Sequence, residues 1–95
     1  MEKEKEDKFL KLLGAAGTKE ILEFLGERST VQYGEMTGFV STPTLNLRLR
    51  DLLQLGLISH HMKREETRKE WYEITEKGEK VLQHLKVLMQ LTEGG

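Results

Sequence analysis

The chain has 95 residues, no cysteine and a formal net charge of −1, although 33% of its residues are charged. That length supports one small domain with a marginal core, and the lack of cysteine excludes a disulfide framework or a thiolate metal site. The near-neutral total excludes a uniformly basic nucleic-acid binder, so the placement of the charges decides.

The N-terminus opens on a charge run, Glu2 to Lys8, with no apolar segment of the signal-peptide kind, and no stretch approaches membrane-spanning length. The expectation is a cytoplasmic protein without membrane association. Lys and Glu enrichment without Cys is a hyperthermophile pattern and points to an archaeal source. Phe9, Leu10, Leu12 and Leu13 make the first apolar patch, on a helix from about Lys5 to Leu13; a frayed, solvated start is the alternative for Glu2 to Lys8. Gly14-Ala15-Ala16-Gly17-Thr18-Lys19 lacks phosphate-loop spacing and reads as a joint between helices. Thr18 can cap a second helix with core residues Ile21, Leu22, Phe24 and Leu25, ended by Gly26. Thr30-Val31-Gln32 suits a brief extended piece, and Tyr33 to Phe39 a helix of one to two turns.

The next segment is the most informative. Thr42 is a good N-cap, Pro43 fits the first helical position, and Gly56 can supply the left-handed residue that ends the helix. Leu45, Leu49 and Leu52 recur at helical spacing and predict a buried stripe. At about 100° per residue the opposite face carries Pro43, Asn46, Leu47, Arg50 and Gln54. An apolar back with an Arg/Asn/Gln front is what an element entering a DNA major groove requires.

Leu57 to Lys63 and Arg68 to Ile74 are strand-like, the second through Trp71, Tyr72 and Ile74. Arg64-Glu65-Glu66-Thr67 between them has no Asn-Gly, so a tip longer than a two-residue turn is expected. Thr75 caps a last helix rich in Val81, Leu82, Leu85, Val87, Leu88, Met89 and Leu91. Such a helix has more apolar surface than one neighbour covers. A homodimer is expected through Leu82, Leu85, Leu88 and Met89 together with Phe9, Leu10 and Leu13; packing of both terminal helices within one chain is the alternative.

The element order is that of a helix-turn-helix followed by a two-stranded wing. The residues carry the resemblance further. Val31-Gln32-Tyr33-Gly34-Glu35-Met36 looks like the start of the first helix of such motifs. Ser41-x-x-Thr44-Leu45-x-x-x-Leu49-x-x-Leu52-x-x-x-Gly56-Leu57-Ile58 resembles a recognition helix and the start of a wing. The run from Trp71 through Thr75, Gly78 and Val81 to Leu82 is similar to the second wing strand and following helix of HxlR, PadR and MarR-like repressors. The resemblance spans Thr18 to Leu82. It implies an α+β, mainly helical winged helix-turn-helix: an N-terminal helix and joint in residues 1–17, the motif in 18–75, and a C-terminal dimerisation helix in 76–95. It also implies a homodimeric transcription regulator binding double-stranded DNA, with residues 43–55 in the major groove and 57–74 on the backbone or minor groove. The other reading is a winged-helix module that meets protein within a larger assembly.

Each candidate residue has two sides. Arg50 can fork onto guanine or a phosphate, or pair with Gln54. Asn46 can pair with adenine. Arg48 lies nearer the core flank, where a phosphate contact and a structural salt bridge compete. Thr42 and Thr44 are placed for phosphate contacts, although capping alone explains Thr42. Leu47 departs from the polar or basic residue usual in these repressors. It can touch a thymine methyl, serve as a protein contact, or be a stray exposed leucine. Lys63, Arg64, Arg68 and Lys69 outnumber Glu65 and Glu66 near the tip, giving a local +2 before the histidines are counted. They suit DNA backbone or minor-groove contact, or a solvated hairpin. His60 and His61 fall on opposite faces of a strand, so no metal site is expected. Trp71 and Tyr72 read as packing residues rather than a base-stacking platform. No catalytic set and no cofactor loop is evident, and neither enzyme activity nor a cofactor is expected.

Overall fold

Ile21, Leu22 and Leu25 sit at three-four spacing on one helix, and Leu45, Leu49 and Leu52 on another; both stripes are buried against each other's neighbourhood in a single core. In the computed structural model, which describes residues 2–93, the order is α1 (Lys3–Gly14), α2 (Thr18–Glu27), a single 3-10 turn (Tyr33–Met36), α3 (Thr42–Gln54), β1 (Ile58–Arg64), β2 (Arg68–Ile74) and α4 (Glu76–Glu93). Val31, Met36, Leu57, Ile58, Leu82 and Leu12 close the core from the remaining elements. β1 and β2 pair antiparallel from Ile58↔Ile74 at the base to Arg64↔Arg68 at the tip, which leaves a loop of residues 65–67. Val31 adds a bridge to Tyr72, with backbone hydrogen bonds of 3.0 and 2.7 Å, so the brief extended piece anchors the wing to the core.

Several local expectations are corrected. The N-cap of α3 is Ser41, one residue earlier than read, with Thr42 already helical. Pro43 is tolerated at the second position as at the first, because the leading amides of a helix have no intrahelical acceptor. Thr18 does not cap α2. Gly17 takes that place at φ 90°, and the Thr18 hydroxyl turns back to the Leu12 carbonyl at 2.6 Å, buried, closing the end of α1. α2 runs through Gly26 to Glu27, since the missing side chain there makes room for Leu82. The segment after Tyr33 is one turn only, held by Glu35 reaching back to the Gln32 amide at 2.7 Å.

At the base of the wing, Gly56 ends α3 at φ 72°. The Thr75 hydroxyl donates to the Gly56 carbonyl at 2.6 Å and accepts from the Gly78 amide at 3.0 Å, so one cap ties α4 to the end of α3. α4 then splits in two. Gly78 and Leu82 are buried against the domain, whereas Val87, Leu88 and Leu91 are exposed. The Cα radius of gyration, 14.3 Å, exceeds the value of about 13 Å for a compact chain of this size. The molecule measures 53 × 30 × 26 Å.

Candidate nucleic-acid interface

With Leu45, Leu49 and Leu52 turned inward, α3 exposes Pro43, Asn46, Leu47, Arg50 and Gln54. Leu47 is 40% exposed on this face. The Arg50 side chain is 64% exposed, and its one ion-pair contact among the described residues is Asp51 at 3.8 Å rather than the Gln54 partner foreseen. Asn46 is not free-standing: the Tyr33 hydroxyl donates to its Oδ1 at 2.7 Å. Tyr33 was not a candidate in the sequence, because its partner lies 13 residues away across a turn.

Arg48 needs correction. It sits half-buried on the flank of α3, and its Nε donates to the Ala16 carbonyl at 2.8 Å. In place of the salt bridge expected on that flank, it fastens α3 to the joint between α1 and α2. Thr42 is exposed, while the half-buried Thr44 accepts from the Ser41 hydroxyl at 3.0 Å.

The wing carries its charges in register. Lys63 faces Lys69 and Arg64 faces Arg68 across the strands, on opposite faces of the hairpin. Lys63 reaches Glu65 at 3.0 Å, and Arg68 is held by Glu70 and by the Met62 sulfur. Arg64 and Lys69 make no ion pair among the described residues. Over the whole hairpin Glu70 and Glu73 join Glu65 and Glu66, so the local +2 near the tip is cancelled at the base.

His60 packs on Tyr72 and His61 stacks on Trp71, with centroid distances of 4.9 and 5.5 Å, on opposite faces. Ser59 and Glu73 both meet Nε2 of His61 at 2.9 Å. A nucleophile relay needs both ring nitrogens, so this trio is not wired as one. Among the described residues no group of three or more His, Asp or Glu could hold a metal ion. Burial first, then the Glu70 carboxylate and Tyr33, push the Tyr72 hydroxyl above its ordinary value of 10.0. No helix among the described residues is long and apolar enough to cross a membrane.

The dimer candidates separate as well. Leu82 is 7% exposed and belongs to the domain's own core, which removes it from an outward seam. Phe9 packs against that core. Leu13, Leu85 and Met89 are half-buried, and Leu10 and Leu88 are exposed at 57% and 58%.

Comparison with known proteins agrees with this geometry. The chain is similar to the diamide-treated form of the transcriptional regulator YodB from B. subtilis, at 24% identity and a TM-score of 0.82 over 99% of this chain and 94% of that one. The reduced form of YodB matches at 28% identity and a TM-score of 0.76, over 96% and 90%. A putative MarR-family regulator from Porphyromonas gingivalis W83 matches at 24% identity and a TM-score of 0.72, over 92% and 87%. Among curated proteins none matches. The HxlR-like helix-turn-helix family matches residues 19–94, nearly the whole winged helix and its C-terminal helix. The chain therefore belongs to the HxlR-like helix-turn-helix family, as a DNA-binding transcription regulator of the winged-helix kind and not an enzyme.

Proposed function

We propose that the protein binds specific double-stranded DNA sites as a homodimer, with α3 in the major groove and the wing on the backbone or minor groove. The observation that carries this reading is the α3 front: Asn46, Leu47 and Arg50 stand exposed on a helix whose other side is fixed by three buried leucines. A base-reading helix needs that combination of free donors and rigid seating. The register of the wing supports it. Like charges directly opposite each other destabilise a hairpin, and two such pairs, Lys63–Lys69 and Arg64–Arg68, meet at the tip. A phosphate backbone would relieve that repulsion. Leu47 and the cancelled charge at the wing base favour the alternative, in which this face meets protein.

The dimer would use the distal half of α4, Leu85, Leu88 and Met89 with Val87 and Leu91, together with Leu10 and Leu13 of α1. The support is the exposure of Leu10, Val87, Leu88 and Leu91 in one copy, with Leu13, Leu85 and Met89 half-buried beside them. Control would differ from that of a thiol switch: diamide is a thiol oxidant, and these residues hold no cysteine for it to act on. An archaeal source is supported only by the composition.

Selection of bound sequences from random duplex DNA tests the reading. The expected product is a pseudo-palindrome with half-sites about 10–10.5 base pairs, or a multiple of that, apart. No enrichment over the starting pool would contradict it.

A further inference from the structure

Asparagine usually reads adenine with two groups at once: Oδ1 accepts from N6 and Nδ2 donates to N7. Here Oδ1 of Asn46 already accepts from the Tyr33 hydroxyl at 2.7 Å. Tyr33 is half-buried on the 3-10 turn beside Tyr72, and the Val31–Tyr72 bridge holds that turn to the wing. The amide is thereby held from behind, and its Nδ2 hydrogens are the groups left for DNA. Those donors match acceptors on guanine, adenine or thymine and reject cytosine, whose major-groove group is itself a donor. The next residue narrows the choice. Leu47 is 40% exposed on the same front, and its methyls suit the one base edge that carries a methyl group. Thymine alone presents an acceptor, O4, beside a methyl at C5. Successive positions on α3 point about 100° apart, so Asn46 would approach O4 and Leu47 the C5 methyl from different sides of the base.

Resting on the DNA-binding reading above, we propose that Asn46 and Leu47 together select a thymine in each half-site, with Tyr33 as a positioning residue that fixes the amide. The charged pairs at the wing and Arg50 contribute to affinity and to another base pair, not to this one.

The test starts from the site that wild-type protein selects, with each thymine replaced in turn by uracil, which keeps O4 and removes the methyl. A uracil in one half-site should weaken binding about threefold to fivefold, the worth of one buried methyl, and a uracil in both half-sites roughly tenfold to twenty-fivefold. Leu47→Ala should bind thymine and uracil at that position equally. Tyr33→Phe removes one oxygen and should keep the uracil effect while admitting adenine, lowering the thymine-over-adenine preference about tenfold. Asn46→Asp replaces the donors by an acceptor and should move the preference to cytosine. Circular dichroism and thermal melting confirm that each variant is folded. A selected site with no methyl-sensitive thymine overturns the proposal. So does full methyl sensitivity in Leu47→Ala, or an unchanged base preference in both Tyr33→Phe and Asn46→Asp. Wild-type protein that selects no sequence at all overturns the regulator reading itself, and this proposal with it.

Discussion

Two arginines on α3 stand in different surroundings. Arg48 spends its Nε on the Ala16 carbonyl, whereas Arg50 stands 64% exposed beside Asp51. Arg50→Ala is expected to weaken specific binding by about 1–3 kcal/mol and relax one base pair, with the melting temperature nearly unchanged. Arg48→Ala should instead cost about 1 kcal/mol of stability, read in a denaturant titration. Helical phase alone placed Arg50, Asn46 and Leu47 on the front, because the buried leucines of the same helix set its rotation. It could not place Arg48, whose partner is a backbone oxygen 32 residues away. Tyr33 was hidden for the same reason, since a tyrosine in a short turn carries no periodic signal. Tyr72 adds a pH prediction. The folded state raises its hydroxyl above 10.0, so its contribution to stability is complete below that pH and falls as pH climbs through the folded value. Tyr72→Phe should flatten the loss of stability measured above pH 10.0.

At the scale of elements, periodicity and end signals located every helix and both strands, while cap positions slipped by about one residue. Ser41 caps α3 because Thr42 is already helical, and Gly17 displaces Thr18 because a residue at φ 90° favours glycine. Gly78 is a stronger constraint than its sequence context suggested. A Cβ there would lie 2.0 Å from the Leu57 carbonyl oxygen, so α4 crosses the wing base only without a side chain. Gly78→Ala should cost about 3 kcal/mol and lower the melting temperature by more than about 10 °C. The wing makes the opposite kind of prediction. Lys69→Glu puts unlike charges opposite each other at Lys63 and should stabilise the free protein by about 0.2–1 kcal/mol. The same change should weaken DNA binding, as seen by fluorescence anisotropy. A substitution that improves the fold and harms binding identifies the tip charges as functional.

For the whole molecule, α4 joins the two halves of the account. Its first turns, through Gly78 and Leu82, belong to the winged helix; its distal half leaves Val87, Leu88 and Leu91 uncovered. Seven apolar residues between Val81 and Leu91 were legible in the sequence, but not that Leu82 would be consumed inside the domain. Sedimentation at micromolar concentration should give a dimer, and Leu85→Glu with Met89→Glu an 11.0 kDa monomer with intact helix content. The measurement that bears most directly on the central claim is affinity for duplex DNA across a salt series. A regulator that neutralises phosphates with Lys63, Arg64 and Lys69 should lose affinity steeply, with log affinity linear in log salt at a slope of about −0.9 for each phosphate contacted. Lys63→Ala and Arg64→Ala should each reduce that slope by about one. Binding that is absent at low salt, or flat across the series, would contradict the account and assign the α3 face to a protein partner.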